Sequence, residues 1–348
     1  MTKPNIVVIY SYYEKNDEYI KNLEFFLKNG IYDDIDYVFC INGHECSLDI
    51  PKQSNIRTIY RDNVNYDFGA YDDAMKQINI STYDYYFLIN TSVRGPFLPG
   101  KDRASMRWTE PFLKLLTGDV KLVGTTINIL NVNDPSELNK APINILTNRG
   151  LKPPFAHIQS QVLLFDREAL QYLISQQFFD QPVISDFMTF VMLREVMISQ
   201  LILKKGWNIN CLLPKYQGLD YRTIKDDINP TSVNGDPYYT GAYFGGNIRP
   251  YDVIFIKTNR GVSTDEIVKL TDQYFIYNKN KTDYIEPFIG DRRYINTIKS
   301  NRYYTPERFI NHLIFSAIFL TIAIIVFLIK DHIIPYFYNK TRKHRSKK

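Results

Sequence analysis

Apolar residues in the first 215 positions fall into short blocks that alternate between two periods. NIVVIYSYY, at 5–13, is continuous and ends in polar residues, which predicts a buried strand. Behind it Ile20, Leu23, Phe26 and Leu27 recur at helical spacing over 18–27 and close on Asn29-Gly30, predicting a helix and its stop. Strands are predicted at 35–41, 55–60, 85–89 and 120–125, with helices at 69–78 and 110–116. Residues 131–154 are rich in Asn and Pro and predict a loop. HIQSQVLLF then predicts a strand, followed by helices at 167–175 and 184–205 and a strand at 207–213. The stretch 214–246 is turn-rich, and YDVIFIKTNRG predicts a last strand ending in basic residues.

Strand and helix in alternation specify an α/β fold with a mostly parallel sheet and helices on both faces. The predicted strands end in Ser11, Asn42, Asp62-Asn63 and Asn90-Thr91-Ser92, and in a parallel sheet those ends share one edge. Any one of them is an ordinary turn residue; four in series predict a ligand cleft. The loop NVNYDFGAYDDA lies between two of the ends, and Gly69-Ala70 would let a diphosphate or ribose approach the backbone there.

The chain carries +5 overall, and the tail 331–348 holds six Lys or Arg against Asp331 alone. The rest is neutral, which argues against a nucleic-acid partner. Cys40, Cys46 and Cys211 lack paired metal-site spacing and are expected to be free thiols of a reducing compartment. Residues 313–329 are an apolar run of about 17, extendable through Phe309 and Ile310, with no polar face. A single membrane helix over 309–330 is expected, followed by the basic tail. With no export signal at the amino terminus, the cytosolic side is favoured for the folded domain, although the positive-inside rule would put the basic tail there instead, which leaves the topology open. The domain division expected is a core at 1–213 and an extension at 214–302 that packs against the cleft.

The series NVNYDFGAYDDA, YDYYFLINTSVRGPFLP, HIQSQVLLF, REVMISQLILKKGWNI and RPYDVIFIKTNR resembles the motif order of the rhamnan-synthesis protein F type glycosyltransferases, a branch of the GT-A nucleotide-sugar fold. The likeness runs to about Gly261. It implies transfer of rhamnose or a related sugar from a nucleotide-diphosphate donor to a polysaccharide or glycolipid acceptor. Many enzymes of that fold hold a divalent cation, Mg or Mn, with an Asp-x-Asp motif after the fourth strand; here Asn90-Thr91-Ser92 stands there, and metal dependence is in doubt.

On the resemblance, Asn42, Asn63, Asp67, Gly69, Asn90 and Ser92 would bind the donor, with Arg94, Lys257 or Arg260 neutralising its leaving group. Glu195 would be the base that takes the acceptor proton in an inverting displacement, with Asp186 in reserve. His157, Gln159 and Ser160 are expected at the acceptor or a metal site. The partners implied are the donor, a glycan or lipid-linked glycan acceptor and a membrane. The rival reading is a catalytically inactive, membrane-tethered module that binds sugar nucleotides or glycans.

Overall fold

In the computed structural model, which describes residues 3–100, 105–132, 140–179 and 182–279, the first apolar block is β1 (Ile6–Tyr13) and the first helical segment is α1 (Asp17–Asn29). Asn16 starts that helix, its side chain accepting from the Tyr19 amide, with Asp17 and Glu18 in the first turn opposing the helix dipole. There follow β2 (Asp36–Asn42), β3 (Ile56–Arg61), α2 (Tyr66–Gln77), β4 (Tyr85–Asn90), the two-residue β5 (Val93–Arg94), α3 (Thr109–Leu113), β6 (Val120–Gly124) and β7 (Ile127–Leu130). The second half supplies α4 (Asn144–Thr147), β8 (Phe155–Ile158), β9 (Val162–Asp166), α5 (Arg167–Ser175), α6 (Phe187–Val191), a π-helical turn (Met192–Val196), α7 (Met197–Lys204) and β10 (Asn208–Cys211). Last come α8 (Pro250–Val253), β11 (Ile256–Lys257) and α9 (Thr264–Lys279). All described residues fall in one unit, Met1–Tyr284; the second unit, Ile285–Lys348, lies outside them.

Seven strands form one sheet in the order β3-β2-β1-β4-β9-β6-β10. Every pairing is parallel except those of β9, which runs against both β4 and β6. The alternation within β1 shows why both faces are covered. Val7 and Ile9 pack with Ala74 of α2, Leu173 of α5 and Ile198 of α7, while Val8 and Tyr10 pack with Phe26 of α1 and Phe112 of α3. Period-2 side chains in a sheet buried on both sides give this division. The four predicted amino-terminal strands thus share one sheet, and their carboxyl ends share one edge. Ser11 lies beside Asn90, and Asn42 beside Arg61.

Two predicted strands are corrected. HIQSQVLLF is not one strand, because the chain turns between β8, which pairs with β7, and β9 in the main sheet. The Ser160 amide donates to Glu195 instead of a neighbouring strand, and the Gln159 and Gln161 side chains bond Thr126 and Thr125 across the turn. YDVIFIKTNRG begins as the helical turn α8, started by Pro250 and by reciprocal bonds between Arg249 and Asp252, and only Ile256–Lys257 is extended. The long helix expected at 184–205 starts after Asp186 and includes the π turn. The loop expected at 131–154 contains α4, and 133–139 lie outside the described residues. So do the end of the extension beyond 279, the membrane helix at 309–330 and the basic tail at 331–348. Among the described residues no helix is long and apolar enough to cross a membrane.

Gly69 sits inside α2 for a packing reason. A Cβ there would lie 2.2 Å from the Val64 carbonyl oxygen and 2.9 Å from an Arg61 guanidinium nitrogen. The expected opening for a diphosphate is therefore filled by the chain itself. Gly69→Ala should push the 61–65 loop away and cost about 1–3 kcal/mol, the range for overpacking a close contact. Chemical denaturation measures it; an unchanged midpoint would mean that the loop yields freely.

Candidate functional site

The turn into α2 is the first element of the site. Asn65 and Tyr66 both adopt left-handed backbone conformations, φ 57° and 48°, which a bulky residue such as Tyr rarely takes. The Asn65 side chain does not cap the helix. It donates to the Pro182 carbonyl at 3.3 Å and accepts from the Ile184 amide at 2.9 Å, tying the turn to the segment before α6. The turn brings Asp67 to the end of β4, where its Oδ2 accepts from Asn90 Nδ2 at 2.9 Å. Asn90 Oδ1 in turn accepts from the Ser92 amide at 3.1 Å and hydroxyl at 2.6 Å. Burial is the main influence on Asp67; the Glu195 charge adds to it, the Asn90 bond opposes it, and the carboxyl is pushed up to about 6.

Glu195 faces this group from the π turn. Such one-turn widenings interrupt regular helix packing and often mark functional positions. Its Oε2 accepts from the Ser160 amide at 2.8 Å and hydroxyl at 2.6 Å, while Oε1 has no hydrogen-bond partner among the described residues. Burial works against its charge, but Lys257, His157 and Ser160 outweigh that and hold the carboxyl below its ordinary value. His157 is buried with Nδ1 2.8 Å from the Phe155 carbonyl, so Nδ1 must carry the proton. Burial pushes its imidazole below the ordinary value, opposed by the Glu195 charge.

Lys257 and Arg260 close the site from the far end of the chain. Lys257 Nζ lies over the Tyr238 ring, 5.6 Å from its centroid, and Arg260 is 3.3 Å from Asp236 and 3.2 Å from the Tyr239 hydroxyl. Asp236 and the two tyrosines carried no motif of their own in the turn-rich 214–246. The signal that could have found them is a lone acid in Asn234-Gly235-Asp236 beside a tyrosine pair.

Four expected site residues turn out to be structural. Arg94 is buried away from the cleft, donating to Asn22 Oδ1 at 3.0 Å, Thr271 Oγ1 at 3.2 Å and Glu18 Oε1 at 2.6 Å. Asn42 is buried, its amide donating to the Ser11 hydroxyl and the Tyr12 carbonyl and its oxygen accepting from Arg61. Gln159 is buried against Thr126. Asp186 is exposed and accepts from the Thr189 amide at 2.7 Å as the cap of α6, which holds its carboxyl below the ordinary value. Asn63 is exposed with no hydrogen bond among the described residues. The site therefore brings together Asp67, Asn90, Ser92, Ser160, Glu195, His157, Lys257 and Arg260.

These donors do not suit a divalent ion. Among the described residues no three His, Cys, Asp or Glu side chains gather to hold one. A hard cation prefers several oxygens, carboxylates foremost, whereas the Asn90 amide oxygen is engaged by Ser92 and the Lys257 ammonium shares the site. A concavity lined by Pro4, Asp84, Tyr85, Asp166, Arg167 and Glu168 lies at the opposite edge of the sheet. Its charges are already paired, Asp84 with Arg167, and Asp166 and Glu168 with Lys121.

No protein-family model matches the chain, and neither does any curated protein. Among solved structures, a mannosyltransferase from Pyrobaculum calidifontis, PcManGT, in complex with GDP-Man and Mn2+, aligns at 14% identity with a TM-score of 0.36. The alignment covers 61% of this chain, and the chain spans 55% of that neighbour's length. At that score the likeness carries no weight, and the resemblance to rhamnan-synthesis protein F transferases rests on the motif series alone.

Two substitutions test these placements. The Asp67 carboxyl binds its proton more tightly folded than unfolded, so its contribution to stability falls as pH rises from 3.8 through about 6. Asp67→Asn should accordingly melt higher than the parent at pH 8, by the equivalent of about 1–3 kcal/mol, with the gain vanishing towards pH 4. Equal melting temperatures at pH 8 would show that the carboxylate carries no burial penalty. Arg94→Met should cost about 2–4 kcal/mol, since it leaves Asn22 and Thr271 without their partner. Denaturant curves measure it; an unchanged midpoint would show that these buried bonds do not stabilise the fold.

Proposed function

We propose that this protein transfers a sugar from a nucleotide-diphosphate donor to a hydroxyl acceptor with inversion at the anomeric carbon. The observation that carries the reading is Glu195. Its carboxylate is half-buried and held below its ordinary pKa, with one oxygen pinned by both donors of Ser160 and the other without a hydrogen-bond partner among the described residues. A base needs that combination of fixed position, retained charge and one open lone pair.

In the displacement, Glu195 takes the proton of the acceptor hydroxyl while that oxygen bonds to the anomeric carbon. The bond from that carbon to the diphosphate breaks, and its electron pair leaves with the nucleotide diphosphate. One displacement inverts the configuration, and the ring passes through a cationic, oxocarbenium-like state. Asp67 and Asn90, bonded to each other at the end of β4, would meet the donor's hydroxyls in this reading, and Ser92 its phosphates; their mutual bonds support it. The motif resemblance supports rhamnose or a related sugar as the group moved and a polysaccharide or glycolipid as its acceptor. The apolar run at 313–329 supports attachment to a membrane.

The test is release of nucleoside diphosphate across a panel of sugar nucleotides, with Glu195→Gln as the decisive variant. It keeps size and removes the proton acceptor, so turnover should fall about 10²- to 10⁴-fold with donor affinity nearly intact. Asp186→Asn should transfer at the parental rate, because Asn caps a helix as well as Asp. If the reverse pattern appears, the base is Asp186. Saturable donor binding with no turnover in the parent would make the protein a binding module.

A further inference from the structure

We infer that Lys257 is the group that grips the donor's diphosphate and takes up the charge of the leaving nucleotide, in a site that does this without a divalent ion. The inference rests on the sugar-nucleotide reading above and says how the donor is held.

The first support is where the fold puts Lys257. β11 pairs antiparallel with β5, Lys257 opposite Val93 and Ile256 opposite Arg94. The Thr258 amide donates to the Ser92 carbonyl at 3.0 Å, and the Phe97 amide to the Ile254 carbonyl at 2.8 Å. That approach needs Gly95, where a Cβ would stand 2.5 Å from the Ile254 oxygen. Lys257 is thus delivered beside Ser92, at the end of β4. Because paired residues share a face of the ribbon and successive ones alternate, it points away from the side on which Arg94 is buried.

The second support is that this half-buried ammonium has no direct partner. It lies over Tyr238, with no hydrogen bond and no ion pair within 4.0 Å among the described residues. The charges acting on it are Glu195, Asp236 and Asp67, opposed by Arg260. Asp236 is held by Arg260, Asp67 by Asn90, and Glu195 by Ser160, so each anion has its own donor. An ammonium partly removed from water and lacking a hydrogen-bonded anion loses hydration that nothing in the fold replaces, and burial pulls its pKa down. A phosphate oxygen beside Ser92 would supply the missing acceptor, and the ammonium would meet the charge that grows as the sugar departs.

The test is calorimetric titration of the full chain with UDP, GDP and dTDP and the corresponding nucleosides, first in EDTA and then with Mn2+ or Mg2+. At least one nucleoside diphosphate should bind in EDTA, with affinity changed less than about threefold by metal. Lys257→Met should weaken that diphosphate at least tenfold and leave its nucleoside unaffected, a split that general damage to the fold would not produce. It should melt no lower than the parent, and Lys257→Arg should recover much of the affinity. Binding that appears only with metal, or a Lys257→Met variant that binds diphosphate like the parent, overturns the inference while leaving the transferase reading standing. If no nucleoside diphosphate binds under either condition, the transferase reading itself fails and takes this inference with it.

Discussion

One buried amide holds the ligand edge together. Asn22, on α1 and fully excluded from solvent, donates to the Thr91 carbonyl at 2.9 Å and the Thr258 hydroxyl at 2.8 Å, and accepts from Arg94 Nε at 3.0 Å. Through those three bonds the end of β4, the segment after β11 and the buried guanidinium become one rigid piece. Arg94 extends the joint to α9 through Thr271. The site residues Asn90 and Lys257 flank this joint in space, although they are far apart in the chain. A fully satisfied polar network in a low-dielectric interior fixes geometry more sharply than apolar packing, because every displaced group loses a bond that water cannot replace.

That joint also explains what the sequence disclosed and what it hid. Periodicity located α5 to the residue and β1, β2, β4 and β6 to within a residue or two, since a two-faced sheet writes itself as continuous apolar blocks. The cluster of strand ends was legible for the same reason, and Asp67, Asn90, Ser92, Ser160, Glu195 and Lys257 do meet at one edge. Arg94 and Asn42 were misread because a polar residue at a strand end looks the same whether it faces a ligand or a buried amide. The partners that decide between those roles lie 72 and 177 positions away for Arg94, beyond any local pattern. HIQSQVLLF was misread because the turn between β8 and β9 contains no Gly or Pro; Gln159, Ser160 and Gln161 make it with side-chain bonds.

Several local costs of this structure fall at the site. Asn65 and Tyr66 hold left-handed backbones before Asp67, the helix widens at Glu195, and Lys257 holds a half-buried ammonium without a hydrogen-bonded partner among the described residues. Others fall outside it, such as the positive φ of Phe244 and the register shift between β10 and β6. Departures from local preference tend to mark positions that a fold maintains for a task.

The reversed direction of β9 has a consequence for how the chain could be rearranged. Because this strand starts at the ligand edge, the chain reaches it from the β7–β8 hairpin through the turn that carries Ser160, with no crossover helix over the sheet. β7 and β8 therefore belong to an excursion that leaves this edge after β6 and comes back to it, contributing both Ser160 and His157 on the return. Such a loop can lengthen or shorten at its outer end without altering the register of any strand in the main sheet.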